Sequence, residues 1–158
     1  MTQSDDLRSI FDVAVESLGF VAQQAEQWLP FGVVLYRQGF KEAPGPTVTM
    51  QRDDFGLVLP DPSALPPETT FEEAADLVLG SLSALAAANH LRIAALCRQV
   101  FAAAEGDDRT AMMVWVEDAE GAAFRSYVPY VRDAGGNVTV STDGVDLESI
   151  DEQQIFGS

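Results

Sequence analysis

Phe31-Gly32-Val33-Val34-Leu35-Tyr36-Arg37 is the stretch that decides the fold. Its apolar and β-branched side chains favour a β-strand. Gly39 follows closely and closes the run, and residues of this type commonly bound strands. The sequence therefore predicts a buried strand over residues 31–37.

A long helix is predicted before this strand. Ser4, followed by Asp5 and Asp6, is typical of a helix start, because a hydroxyl and two carboxylates suit the free amides there. Apolar residues then recur at spacings of four and three, which places them on one helical face. This stripe comprises Leu7, Phe11, Ala14, Leu18, Val21, Ala25 and Trp28. We expect a helix of about 25 residues that Pro30 ends.

Two short strands and a second helix are predicted after it. Residues 47–51 read as a strand within a proline-rich region, and residues 55–59 read as another strand or as its continuation after an Asp53-Asp54 turn. Thr70-Phe71-Glu72-Glu73 has the pattern of a capping box, which opens a helix. This second helix is apolar on most sides, and Asn89-His90 fits its end.

The remaining sequence predicts a β-meander. Strand-like runs at 92–103, 109–117 and 122–131 are joined by Glu105-Gly106-Asp107-Asp108 and Asp118-Ala119-Glu120-Gly121. When each hairpin is centred on its loop, Trp115 faces Phe124 and Arg98, and both faces of the sheet carry apolar groups. We therefore expect something to cover part of each face, and a second copy of the chain could do so.

The predicted fold class is α+β, with an antiparallel sheet of about five strands and two helices packed on it. Residues 1–158 form a single domain, in which residues 143–158 are an acidic C-terminal segment. Residues 138–140 and 147–156 are weaker candidates for structure within this last part.

Composition excludes several classes of protein. The chain has 158 residues, of which 47% are apolar, and this is enough to bury a core and to exclude general disorder. The formal charge of −16 argues against nucleic acid or an anionic membrane surface as a partner. No export signal is recognisable, so we expect a cytoplasmic protein. A single cysteine can form no internal disulfide or thiolate cluster.

No catalytic signature is present. The glycines form no G-x-G-x-x-G, the only lysine, Lys41, follows no phosphate loop, and G-x-S-x-G is absent. His90 and Cys97 are seven residues apart, which would place them on opposite faces of one strand. The segment from Asp143 to Glu148 lacks the spacing of a calcium loop. We therefore expect no catalytic residues, no cofactor and no metal.

One carboxylate-based alternative stays open. Glu117, Asp118 and Glu120 could serve an enzyme or a metal binder if at least two of them were buried in a cleft. Solvated hairpin residues are the competing interpretation.

The leading functional prediction is a non-enzymatic binding or adaptor protein, homodimeric, that acts through an apolar surface with an acidic rim. The candidate interaction surface comprises Arg98, Trp115, Phe124, Tyr127 and Tyr130. Packing in the core of the sheet is the competing role for these aromatic residues. The charge of −16 suggests a second class, an immunity-type or chaperone-like inhibitor of a basic partner protein.

Several short motifs carry a resemblance. Trp28-Leu29-Pro30-Phe31-Gly32-Val33-Val34-Leu35 with Gly39, Val128-Pro129-Tyr130 and Gln154-Ile155-Phe156-Gly157 resemble segments of small, uncharacterised bacterial single-domain proteins. The predicted order of helix, two strands, helix and three strands is similar to that of roadblock-type domains and, less closely, of acidic secretion chaperones. This resemblance implies a dimeric binding module without catalytic residues.

Overall fold

A computed structural model describes residues 3–25, 27–101, 110–141 and 147–156. Its elements, in chain order, are α1 (Gln3–Gln24), β1 (Phe31–Tyr36), β2 (Thr47–Arg52), β3 (Phe55–Pro60), α2 (Phe71–Ala87), β4 (Leu91–Phe101), β5 (Thr110–Asp118), β6 (Ala123–Arg132), β7 (Val138–Val140) and β8 (Glu148–Ile150). The predicted loop at residues 105–108 lies outside the described residues.

All strands in the described ranges belong to one antiparallel sheet, in the order β2-β3-β1-β4-β5-β6-β7, and β8 also pairs with β6. The predicted α+β class, the antiparallel sheet and the two helices are confirmed. The prediction of about five strands was wrong, because the sheet has eight. β7 and β8 have three residues each and pair along the same edge of β6, so they depend on a neighbour that local sequence does not reveal.

The two helices lie on opposite faces of the sheet. α1 packs against β1 and β4–β7, whereas α2 packs against β1–β4. All six residues of β1 are buried, with Val33 and Leu35 in the cluster under α1 and Val34 in the cluster under α2. Gly32 allows α2 close to the strand, since a Cβ there would stand 2.9 Å from a methyl carbon of Leu82. The predicted buried strand is therefore confirmed, and it is covered on both sides.

α1 is shorter than predicted. It begins at Gln3, before the predicted cap Ser4, and ends at Gln24, six residues before Pro30. Trp28 therefore lies beyond the helix rather than on its stripe. Its indole still belongs to the core under α1, because Nε1 donates to the Tyr130 hydroxyl over 2.9 Å.

The turns and caps of the first half follow their sequence signals. The Thr70 hydroxyl accepts a hydrogen bond from the Glu73 amide over 3.1 Å, which confirms the cap of α2. Asn89 has a φ of 63° just after α2, and Asp53 has a φ of 54° in the β2–β3 turn. Asn and Asp tolerate this left-handed conformation better than most residues.

The predicted register of β5 and β6 was wrong by one residue. Trp115 pairs with Arg125, and Phe124 pairs with Val116. The Asp118 carboxylate accepts hydrogen bonds from the amides of Glu120 and Ala122, which centres the hairpin on Glu120. A slip of one residue moves every side chain of a strand to the other face. Phe124 therefore points away from Trp115.

The predicted register of β4 and β5 was wrong by two residues. Trp115 pairs with Leu96 rather than Arg98, and a shift of two leaves each side chain on its predicted face.

Within the described ranges, no helix is long and apolar enough to cross a lipid bilayer.

Gly56 of β3 is required by close packing. A Cβ at this position would lie 2.1 Å from the Tyr36 hydroxyl oxygen and 2.8 Å from Cζ of the same ring. Tyr36 is itself buried, and its ring packs edge-on against Phe40 with centroids 5.7 Å apart. This burial raises the pKa of Tyr36 to about 12.

We predict that Gly56→Ala lowers the free energy of unfolding by roughly 1–3 kcal/mol, because the buried Tyr36 ring would have to shift. Gly80→Ala is the matched control, since Gly80 is exposed on α2 and a Cβ there meets nothing within 4 Å. That change should raise stability by roughly 0.5–1 kcal/mol through helix propensity. Urea unfolding measures both variants, and equal stability of the two would contradict the packing described here.

Candidate functional site

The sheet separates the five residues of the predicted interaction surface. Trp115, Arg98 and Tyr127 lie on the α2 side, since their strands pair in register and Trp115 belongs to the cluster under α2. Phe124 and Tyr130 lie on the α1 side, and Tyr130 belongs to the core there. Trp115 and Tyr130 are buried, whereas Tyr127 is 47% exposed. The structure thus brings three of the five residues to one face and places two on the other.

Beyond α2, the α2 side of the sheet is partly uncovered. We call this region the open sheet surface. It comprises Arg98 and Val100 of β4, Ala111 and Met113 of β5, Tyr127, Pro129 and Val131 of β6, and Thr139 of β7. Val131 is 64% exposed. Sequence reasoning identified Arg98 and Tyr127 but missed Pro129 and Val131, because the incorrect register placed β6 with the wrong face outward.

Charged groups border the open sheet surface. The Arg125 guanidinium donates to the Glu148 carboxylate over 2.9 Å and lies 5.7 Å from the centroid of the Tyr127 ring. The hydrogen bond from Arg125 to Glu148 raises the pKa of the guanidinium above its ordinary value. Asp133 lies at the β6–β7 turn, where hydrogen bonding from the Asn137 amide lowers its pKa. Glu148 and Asp133 are both exposed, so the apolar residues have acidic neighbours.

A buried carboxylate anchors the end of the chain on the α2 side. Glu117 is fully buried, and its Oε1 accepts hydrogen bonds from the Ile155 and Phe156 amides at 2.9 and 3.0 Å. Its Oε2 accepts from the Gln154 amide and from the Trp115 indole, both at 2.6 Å. Ile155 is buried in the cluster under α2. Residues 154–156 therefore form a third covering element, next to α2.

The arrangement of the hairpin carboxylates gives the carboxylate-enzyme alternative little support. Glu117 and Asp118 are buried, as that alternative required, whereas Glu120 is exposed. However, backbone amides and an indole occupy both oxygens of Glu117, and the Asp118 Oδ1 atom accepts amides of its own hairpin. The two buried side chains also point to opposite faces, because they are consecutive in a strand.

No described group of three or more His, Cys, Asp and Glu side chains is placed to hold a metal ion. Most of the acidic segment between Asp143 and Glu148, residues 143–146, lies outside the described residues.

Cys97 and His90 form no catalytic pair. Cys97 is fully buried in the core under α1, and this burial raises the pKa of its thiol strongly. His90 lies at the other end of β4, in the turn after α2, where its amide donates to the Leu85 carbonyl over 3.1 Å. Because the thiolate is the reactive form of cysteine, this position favours an inert core residue.

Three adjoining cavities surround Arg37 at the end of the sheet where β1 finishes and β4 begins. We call them together the end cleft. Their volumes are about 470, 230 and 150 Å³, and Arg37 lines all three. Arg92 lines the first and third, and its guanidinium forms an ion pair with Asp6 of α1 at 2.5 Å. Sequence reasoning missed this cleft, because its walls come from five separate loops and element ends.

Comparison of the chain with protein-family models, with curated proteins and with solved structures finds no match.

We predict that Glu117→Gln lowers the free energy of unfolding by roughly 2–4 kcal/mol, because an amide NH₂ group would face backbone N–H donors. Hydrogen exchange at the Ile155 and Phe156 amides should accelerate in the same variant. Glu120→Gln is the control, since that side chain is exposed, and it should change stability by less than about 0.5 kcal/mol. Unchanged exchange at Ile155 in Glu117→Gln would contradict the anchoring role.

We predict that Cys97 does not react with 5,5′-dithiobis(2-nitrobenzoic acid) at pH 8 in the native protein, because the thiol is buried and protonated. In unfolding concentrations of urea the same thiol should react within the mixing time. Absorbance at 412 nm follows the reaction, with free cysteine as the control. Rapid labelling without denaturant would show that the core under α1 opens at β4.

Proposed function

We propose that this protein is a non-enzymatic binding module that forms a homodimer through the open sheet surface. The observation that carries the proposal is the contiguous, partly exposed set of apolar side chains on β4–β6, with Tyr127 and Val131 at its most exposed part. Soluble monomers seldom leave an apolar patch of this kind uncovered, and such patches commonly mark interaction sites.

The incomplete cover on the α2 side of the sheet supports this proposal, because α2 and residues 154–156 leave the open sheet surface exposed. α2 reaches β4, and the anchored C-terminal segment covers the neighbourhood of Trp115 and Glu117. Met113, two residues along β5 from Trp115 and on the same face, is already only partly buried. A second copy placed on this face would complete the layer that α2 and the C-terminal segment begin.

The chemistry of the surface also suits a protein partner. Tyrosine, methionine and arginine are enriched at interfaces, and the open sheet surface presents Tyr127, Met113 and Arg98 together. An interface of ordinary size buries about 800 Å² on each partner. In such an interface the open sheet surface would supply the apolar centre, and the exposed Glu148, Asp151 and Glu152 would supply part of an acidic rim.

The salt dependence of association distinguishes this homodimer from an inhibitor that captures a basic protein. Each chain carries −16, so two copies repel one another and salt screens that repulsion. A homodimer held by apolar contacts should therefore strengthen as sodium chloride is raised. Capture of a cationic partner should weaken over the same range.

Val131→Asp tests the proposal most simply, with Val48→Asp as its matched control. Val48 is 39% exposed on β2, on the α1 side of the sheet and far from the open sheet surface. At tens of micromolar, sedimentation velocity should give a dimer for the natural chain and for Val48→Asp, and a monomer for Val131→Asp. A strictly monomeric natural chain, or a Val131→Asp variant that still dimerises, would contradict the proposal.

A further inference from the structure

We propose that the end cleft binds a small phosphomonoester. The phosphate would lie in the 230 Å³ cavity, between Arg37, Lys41 and His90, and the organic part would lie in the adjoining 470 Å³ cavity. This site is separate from the open sheet surface, and its occupation does not require dimerisation.

The charges around the smaller cavity carry the argument. The chain has 25 acidic and 9 basic side chains, yet this cavity is lined by Arg37, Lys41 and His90 and by no carboxylate. Its other walls are Gln38, Gly39, Ala88 and Asn89, of which Gln38 and Asn89 carry amide donors. A cavity with several donors and no acid is unexpected in so acidic a chain, and its chemistry matches an oxyanion.

These donor groups also have no hydrogen-bond or ion-pair partner in the described part of the chain. Within the described part of the chain, the side chains of Arg37, Lys41 and His90 make no hydrogen bond or ion pair, and neither do those of Gln38 and Asn89. The carbonyl end of α2 lies next to this cavity and attracts cations, which offers a purely structural reason for their presence. A structural role of this kind predicts no response to phosphate, so an experiment can separate the two explanations.

The chemistry of the donors favours phosphate. Arginine presents a planar fork that matches two oxygens of a phosphate, and lysine adds a compact charge. A volume of 230 Å³ exceeds that of several water molecules, at about 30 Å³ each. The cavity can therefore hold one phosphate group together with some of its water.

The larger cavity defines the rest of the ligand. It shares Arg37, Gln38 and Gly39 with the smaller one, so a single ligand can extend from one into the other. Tyr36, Phe40 and Phe55 give it aromatic walls. Asp53 and Asp54 add negative charge, whereas Asp6 is paired with Arg92. The carboxylates would repel a second anionic group. The ligand is therefore a monoester of phosphate whose organic part carries no further negative charge.

Isothermal titration calorimetry with glycerol 3-phosphate, and separately with inorganic phosphate, tests the proposal at a constant ionic strength set with sodium chloride. Binding of either compound supports an oxyanion site. Tighter binding of glycerol 3-phosphate identifies a monoester as the ligand, and equal or weaker binding identifies free phosphate. Absence of heat from both compounds at millimolar concentrations would overturn the proposal.

Substitutions of the lining residues test whether the ligand binds in this cavity. Arg37→Gln and Lys41→Gln should each weaken binding by about tenfold or more, since each removes one charge-assisted contact. Arg8→Gln is the matched control: Arg8 is exposed on α1 and lines none of the three cavities, so the affinity should stay unchanged. Circular dichroism melting shows that each variant is folded. An equal loss of affinity in Arg8→Gln would mean general charge attraction and would overturn the proposed site.

Discussion

The fold depends on the burial of β1 on both of its faces. All six residues from Phe31 to Tyr36 are buried, so the sheet needs a covering layer on each side. α1 provides one layer and α2 the other, but each helix is shifted toward a different edge of the sheet. This diagonal arrangement protects the centre fully and leaves part of each face to be covered by something else.

The chain supplies one further cover from its own end. Glu117 would be an uncompensated charge in the core without the amides of residues 154–156, and its carboxylate helps to order those residues. The anchored segment closes the sheet around Trp115 and stops there. On the α2 side of the sheet, the open sheet surface is the part that remains uncovered.

Much of the fold could be predicted where local patterns decide it. The β1 run, the Thr70 cap and the Asp53-Asp54 turn all had clear signals, and each was confirmed. Properties that depend on distant partners could not be predicted. β7 and β8 form because β6 offers an edge, and the face of Phe124 depends on how Asp118 closes its hairpin. The sequence identified Arg98 and Tyr127 as surface candidates. It did not indicate Val131 or the cleft around Arg37, because both depend on how distant segments pack together.

We propose that a second copy of the chain covers the open sheet surface. Hydroxyl-radical footprinting over a range of protein concentrations tests this directly, with Tyr127 as the reporter and Phe20 as the reference. Phe20 is 65% exposed on α1 and lies outside the proposed interface. If the chain dimerises through this surface, oxidation of Tyr127 falls as the concentration rises while oxidation of Phe20 stays constant. Oxidation of Tyr127 that is independent of concentration, from nanomolar to tens of micromolar protein, would contradict it.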